Sequence, residues 1–153
     1  DRKSQIELFI EQLELAARYN LPVVIHNREA GKDVLDVLKD RLPPAGGVLH
    51  CYSEDAEYAA RALDLTLYFS FAGNLTYRNA RNLHETVRVL PLDRILVESE
   101  APFMVPAEYR GKRNKPEYLP STVDFLAELL DIAVEDVAQA TFENAQRFFR
   151  LSA

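Results

Sequence analysis

The sequence predicts an α/β fold in which parallel strands alternate with helices. Short apolar runs are each followed by a stretch of helical periodicity, and this alternation occurs four times. The runs also end at similar intervals, near residues 26, 50, 72 and 98. An open doubly wound sheet and a (β/α) barrel share this rhythm, but a complete barrel needs about 250 residues, and about 200 at the least. Because the chain has 153 residues, it is either part of a larger barrel or an open sheet.

The first helix is predicted from Ser4 to about Tyr19, because apolar residues recur there at helical spacing. Ser4 and Glu7 have the spacing of a capping box at its start. Short apolar runs bounded by polar or turn residues predict four buried parallel strands. These strands are expected at 21–26, 48–52, 67–72 and 95–97.

Amphipathic periodicity predicts the helices between and after the strands. The helix from Val34 to Leu42 is stopped by Pro43, and Ser53 is a candidate N-cap for the helix that ends near Leu63. The remaining helices are expected at 80–90, 123–130, 134–138 and 142–149.

The composition is that of an ordinary globular chain, with 48% hydrophobic and 27% charged residues. No stretch approaches the roughly 18 apolar residues of a membrane span, so we expect no membrane partner. The one cysteine, Cys51, excludes an internal disulfide framework and favours a cytoplasmic location. The net charge of −6 argues against general affinity for nucleic acid, so any phosphate binding must come from a local cluster.

Candidate metal ligands stand at the ends of three predicted strands. His26 and His50 end the first two strands, and Glu98 and Glu100 follow the fourth. Ligands of β/α folds collect at the carboxyl ends of strands, and residues at i and i+2 of an extended chain face the same way. Imidazole and carboxylate groups suit divalent metals, so a metal site is predicted here. Structural histidines and a solvated turn with helix-capping acids are the alternatives.

Three further residues are interpreted from their positions. His84 follows the helical spacing of its neighbours and is assigned to a helix rather than to the site. Cys51 adjoins a strand-terminal histidine, so we expect it to face the opposite side as a small hydrophobe. Arg28 lies two residues beyond the first strand-terminal histidine, where it could bind a phosphate or form a structural ion pair.

A dense cationic loop follows the acid-bearing strand and contains Arg110, Lys112, Arg113, Asn114 and Lys115. Such runs are usually solvated surface, but a position directly after two acids favours phosphate recognition. The chain has neither a nucleotide-binding glycine loop nor a G-x-S-x-G elbow, so nucleotide-loop and serine-hydrolase chemistry have no support.

Six segments, in order along nearly the whole chain, resemble the TatD family of metal-dependent deoxyribonucleases. They are LPVVIHNREA (21–30), GVLHCYS (47–53), YFSFAGNLT (68–76), RILVESEAP (94–102), YRGKRNKPEYL (109–119) and TFENAQRFF (141–149). The resemblance implies a (β/α) TIM-type barrel of the metal-dependent hydrolase superfamily. On this basis residues 1–153 are expected to form a single domain, a partial barrel of about four βα units from the carboxyl-terminal portion of the whole.

The resemblance also implies hydrolysis of phosphodiesters in DNA, at an end or in a single strand, or in another phosphodiester substrate. Zinc, magnesium or manganese is the expected cofactor, with its identity and number left open. By the resemblance, the metal ligands are His26, His50 and Glu100, and the catalytic residues are Glu98 and Glu100. The implied substrate-binding residues are Arg28, Arg110, Lys112, Arg113 and Asn114.

The chain departs from the family pattern in three ways. The family's H-x-H and its E-x-G-x-D motif do not occur, Glu100 replaces the usual aspartate, and Glu54 replaces the usual glycine. Activity is therefore expected only when a missing amino-terminal part completes the barrel. The alternatives are a non-catalytic truncated barrel, which binds a partner or is degenerate, and a metal-dependent hydrolase of an ester or amide. If the 153 residues exist alone, their open strand edges predict self-association.

Overall fold

The computed structural model describes residues 1–151 and contains a four-stranded sheet with six α-helices in that part of the chain. The elements are α1 (Arg2–Tyr19), β1 (Val23–His26), α2 (Gly31–Arg41), β2 (Gly47–His50), α3 (Ala56–Leu63), β3 (Tyr68–Phe71), α4 (Arg81–Val89), β4 (Ile95–Val97), α5 (Leu119–Leu130) and α6 (Val134–Phe149). Short 3₁₀ turns follow β3, precede β4 and occupy parts of the loop before α5. No helix among residues 1–151 is long and apolar enough to span a lipid bilayer.

The strands pair in the order of the sequence, β1–β2–β3–β4, and every pair is parallel. A doubly wound sheet reverses its strand order at a switch point, whereas the strands of a barrel follow one another around its axis. The unbroken order therefore confirms the prediction of a partial TIM-type barrel with four βα units. The open doubly wound alternative is wrong.

The two faces of the sheet have different coverings because successive side chains alternate between them. On the outer face, Ile25, Leu49 and Phe69 are buried against the helices in the main hydrophobic core. On the inner face, Val48 and Tyr68 are buried, together with Leu96, in a smaller cluster that is completed from α6.

Helix α6 covers the amino-terminal end of the strands. The Asn144 side chain donates hydrogen bonds to the carbonyl oxygens of Leu92 and Ile95, both at 2.8 Å, at the start of β4. The ring of Phe148 packs on that of Tyr68 with 5.1 Å between centroids. The carboxyl ends of the strands, where the candidate ligands were predicted, therefore lie at the opposite end of the sheet.

Two predicted helix caps are wrong. Helix α1 is capped by Asp1, whose carboxylate accepts a hydrogen bond from the Ser4 hydroxyl at 3.1 Å. Helix α3 is capped by Asp55 rather than Ser53, through a 2.8 Å bond from the backbone N–H of Tyr58. In both cases an aspartate lies within three residues of the predicted serine, and a carboxylate caps a helix end as well as a hydroxyl does.

The two helices predicted at 134–138 and 142–149 are one helix, α6. Neither glycine nor proline occurs between Ala138 and Phe142, so nothing in the backbone interrupts the hydrogen-bond ladder there. The apparent break in periodicity reflects a buried polar residue, Thr141, whose hydroxyl donates to Val137 O at 2.9 Å within the helix.

Candidate metal centre

The two strand-terminal histidines are direct neighbours. His26 and His50 are register partners in the β1–β2 pair, and their ring centroids lie 5.8 Å apart. Parallel pairing in this register brings two residues that are far apart in sequence to one edge of the sheet. His26 is exposed and His50 is partly buried.

Both predicted acids converge on His50. Its Nδ1 atom lies 2.9 Å from Oε1 of Glu98, and its Nε2 atom lies 3.3 Å from Oε2 of Glu100. One ligand atom from each of the three residues lies within 4.8 Å of the other two, and residues 1–151 contain no second cluster of this kind. The exposed fractions of the three side chains are 25%, 19% and 27%, so the cluster is sheltered but reachable.

The environment of Glu98 shows that this cluster fits a cation. Its Oε1 atom is buried and makes no hydrogen bond in the structure, although it lies 2.9 Å from Nδ1 of His50. A buried carboxylate oxygen without a partner costs free energy. A divalent cation between imidazole nitrogen and carboxylate oxygens would satisfy this atom, and this donor set suits zinc or manganese.

The backbone reason for the convergence differs from the predicted one. Strand β4 ends at Val97, and the backbone N–H of Glu98 still donates to Phe71 O at 3.0 Å. Glu100 has a φ of 53°, in the left-handed region. A turn, rather than strand alternation, therefore aims its carboxylate at His50. Such a conformation costs about 1–2 kcal/mol in a residue with a Cβ, and strain of this kind is concentrated at binding sites.

Asn114 fixes this turn from within. Its side chain is 4% exposed, and its amide donates to the carbonyl oxygens of Ser99 and Phe103, both at 2.5 Å. Its Oδ1 atom accepts from the backbone N–H of Lys115 at 2.8 Å. These bonds use both ends of the buried amide, and the predicted role of Asn114 in substrate binding stays a prediction. In the structure, Asn114 positions the segment that carries Glu100.

The predicted cationic groups lie on two loops, one after β1 and one before α5. Arg28 is exposed and lines, with His26, an open cavity of about 770 Å³ between β1, α1 and α2. On the other loop, the guanidinium of Arg110 lies 4.9 Å from the centre of the Tyr77 ring, and the Lys112 ammonium lies 5.5 Å from that of Tyr109. The side chains of Arg110, Lys112 and Arg113 are exposed. Their roles in substrate binding stay predictions.

A model of the family described as TatD related DNase matches residues 1–150 of the chain. The chain belongs to the TatD family. This confirms the resemblance drawn from the six segments of sequence.

Among the curated relatives of the chain are two proteins named as uncharacterized metal-dependent hydrolases. YabD of Bacillus subtilis is 42% identical over 149 residues, which are 97% of this chain and 58% of YabD. YcfH of Escherichia coli K12 is 41% identical over 150 residues, which are 97% of this chain and 57% of YcfH. The chain therefore spans little more than half the length of these relatives.

Solved structures show the same fold. The crystal structure of YjjV, a TatD homologue from Escherichia coli K12, has a TM-score of 0.93 at 32% identity and covers 98% of this chain and 58% of that one. A TatD family hydrolase from Entamoeba histolytica has a TM-score of 0.85 at 17% identity, with coverage of 99% and 58%.

A side-chain hydrogen bond that was not predicted joins the loop after β1 to the loop after β2 in this TatD-family chain. The Asn27 side chain donates to Oε1 of Glu54 at 2.9 Å, and its Oδ1 atom accepts from the backbone N–H of Ala30 at 3.2 Å. Glu54, at the position where the family usually has glycine, thus links the loop after β2 to the loop after β1. The sequence feature that could have indicated this contact is Asn27, directly after His26, since asparagine side chains often hydrogen-bond the backbone of a following turn.

His84 and Cys51 lie outside the ligand set. His84 belongs to α4, as predicted, and its Nε2 atom lies 2.8 Å from Leu75 O. Cys51 is not in the predicted strand, because β2 ends at His50 and the φ of Cys51 is 45°. Burial, and then the negative charges of Glu98 and Glu100, raise the pKa of its thiol to about 12. The thiol is therefore protonated at neutral pH, which disfavours a nucleophilic role.

Proposed function

We propose that this chain supplies part of the metal centre of a divalent-metal-dependent hydrolase that cleaves phosphodiester bonds in DNA. The observation that carries the proposal is the cluster of His50, Glu98 and Glu100 with its buried, unpartnered carboxylate oxygen. The family description and the names of YabD and YcfH support metal-dependent hydrolysis. Exposed cations on the loops that follow β1 and β4, in a chain whose net charge is −6, support an anionic substrate.

The three converging residues would hold the cation, and His26 would extend the set from the neighbouring strand. A divalent cation, when bound, polarises a phosphoryl oxygen and lowers the pKa of water. The Glu98 carboxylate lies 2.9 Å from Nδ1 of His50, so it would be one of the groups that hold the cation. The imidazole in this set favours zinc or manganese, whereas magnesium would depend on the carboxylates alone.

The cationic groups would bind and orient the substrate. Arg28 approaches from the loop after β1, and Arg110, Lys112 and Arg113 approach from the loop before α5. Guanidinium groups pair with phosphate oxygens in two parallel hydrogen bonds, so they fix orientation as well as charge. This arrangement favours a phosphodiester over the ester or amide alternatives, whose hydrolysis calls for no cationic loop.

The purified natural protein is expected to release nucleotides from a single-stranded DNA oligonucleotide in the presence of Mg²⁺, Mn²⁺ or Zn²⁺. Addition of EDTA should abolish the release, because the proposed chemistry requires the cation. Chromatographic analysis of the products measures both. Cleavage that persists in EDTA, or turnover of nitrophenyl esters without any turnover of DNA, would reject the proposal.

We also propose that the 153-residue chain, studied by itself, associates with a second copy. In the described sheet β1 is an edge strand, and a groove of about 460 Å³ lies between it and α1. Large apolar side chains are exposed along this groove, at Leu15, Tyr19, Leu21 and Val24. An apolar edge strand of this kind pairs readily with another chain.

Size-exclusion chromatography with light scattering is expected to give a mass of at least two chains. The Val24→Lys change should shift the protein toward one chain, because it puts a charge on the exposed inner face of the edge strand. A matched change on α6, Phe142→Lys, should leave the mass unaltered. A wild-type chain that elutes as a stable monomer would contradict this proposal without affecting the proposed metal centre.

A further inference from the structure

Two large apolar side chains are exposed on the turn that follows Glu100. Phe103 is 68% exposed and Met104 is 40% exposed. The turn places them close to the metal centre, because the backbone N–H of Phe103 donates to the carbonyl oxygen of Glu100 at 2.8 Å. Exposed apolar side chains at the mouth of a polar site indicate contact with an apolar part of a ligand.

The backbone that carries these side chains is fixed on several sides. The Tyr77 hydroxyl donates to Val105 O at 2.9 Å, and the backbone N–H of Ala107 donates to Oγ1 of Thr76 at 2.7 Å. The buried Asn114 amide holds the carbonyl of Phe103. A rigid backbone presents the side chains at low entropic cost to a ligand, which is the meaning of preorganisation.

The backbone conformation of Met104 is a second indication that this segment contacts a ligand. Its φ is 49°, in the left-handed region, although it has a long side chain. A methionine there carries a conformational cost of about 1–2 kcal/mol. A strained backbone that presents apolar side chains to solvent, and is held by many hydrogen bonds, is typical of a ligand-contact segment.

Tyr77 contacts both the cationic loop and this apolar segment. Tyr77 donates to the backbone of the segment, and its ring lies under the guanidinium of Arg110 at 4.9 Å. The same region therefore offers an exposed aromatic ring, a methionine and an exposed arginine on the segment that continues from Glu100. A nucleotide unit combines a flat π-face with a phosphate, and bases of every type stack on aromatic side chains.

We propose that Phe103 stacks on an unpaired nucleobase next to the phosphate held at the metal centre, and so acts as a specificity-determining residue for single-stranded polynucleotide. This inference rests on the proposed phosphodiesterase function. A base inside a duplex is paired and stacked between its neighbours, so only an unpaired or frayed base could lie on the Phe103 ring.

The test compares two labelled strands of equal length, an oligothymidylate and a strand in which abasic residues replace the thymidines. Both carry the same phosphates, so they differ only in the bases, and the Phe103 variants then separate stacking on this ring from other base contacts. Fluorescence anisotropy with the purified protein in Ca²⁺ is expected to show binding of the oligothymidylate at least about fivefold tighter, the lower bound for stacking of one base. Phe103→Ala should remove the difference and leave the affinity for the abasic strand unchanged, whereas Phe103→Tyr should retain it.

Phe142→Ala is the matched control, because Phe142 is also an exposed phenylalanine but lies on α6, away from the site. It should bind both strands as the wild type does. If Phe103→Ala weakens both strands equally, or if the preference survives it, stacking is overturned while the proposed function stands on phosphate binding. If the wild-type protein binds neither strand at low salt, the inference and the proposed function fall together.

Discussion

Replacing His50 with alanine is expected to weaken binding of a divalent cation by about 100-fold or more, the upper range found for loss of supporting partners alone. The imidazole contacts Glu98 through one nitrogen and Glu100 through the other. Its loss would leave two carboxylates without the group that bridges them. Titration calorimetry of the protein with Zn²⁺ or Mn²⁺ measures the effect.

His84→Gln is the matched control for that measurement. His84 belongs to α4 and lies with its Nε2 atom 2.8 Å from Leu75 O, so the change should leave metal affinity as it is in the wild type. Circular dichroism confirms that each variant retains the fold. Unchanged binding in His50→Ala would place the metal elsewhere, and a tenfold loss in folded His84→Gln would show that the helix histidine supports the site.

Sequence patterns were sufficient to predict the strands of the sheet, because an apolar run is a local feature of the sequence. Short apolar runs end at His26 and His50, and parallel pairing in register then makes the two residues neighbours. The choice between a barrel and an open sheet needed the pairing order of the strands, which periodicity does not encode. Helix caps were missed by two or three residues because serine and aspartate compete for the same role.

The sequence placed Glu98 and Glu100 at the correct end of the sheet, but strand alternation is not what brings Glu100 to His50. Nothing in local sequence indicates that Glu100, a residue with a Cβ, adopts a left-handed conformation. That conformation depends on tertiary bonds, above all on Asn114, which sequence analysis placed in a solvated cationic loop because its neighbours are charged. A buried amide within such a loop becomes evident only when its partners, here Ser99 O and Phe103 O, are known.

The glutamate at position 100 is compatible with the site in this backbone. The added methylene relative to the family's usual aspartate lengthens the side chain, and the turn at Glu100 sets its carboxylate 3.3 Å from Nε2 of His50. The departure from the family pattern therefore does not remove the acid from the cluster. The position of the carboxylate depends on this turn, and the turn is supported by the residues packed against it.

Gly73, directly beneath that turn, is the position where one methyl group should disrupt both fold and site. A Cβ atom at Gly73 would collide with the carbonyl oxygen of Met104 and would lie 2.7 Å from the nitrogen and 2.8 Å from Cδ of Pro106. These are backbone and ring atoms, so the whole segment would have to move, and Phe103 links it to Glu100. Overpacking of this kind typically costs about 1–3 kcal/mol, or roughly 2–12 °C in Tm at about 2–4 °C per kcal/mol.

Because the segment carries Glu100, Gly73→Ala should also weaken metal binding, by about tenfold, an effect like that of losing a supporting partner. Gly47→Ala in β2 is the matched control. A Cβ there would lie 3.1–3.2 Å from the ends of three side chains, Leu67, Ile25 and Leu42, which can rotate away. Thermal melts and calorimetry on the pair separate the two effects: Gly47→Ala should lower Tm alone, whereas Gly73→Ala should lower both Tm and metal affinity. If Gly73→Ala bound metal as tightly as the wild type, the coupling between this segment and the Glu100 carboxylate would be disproved.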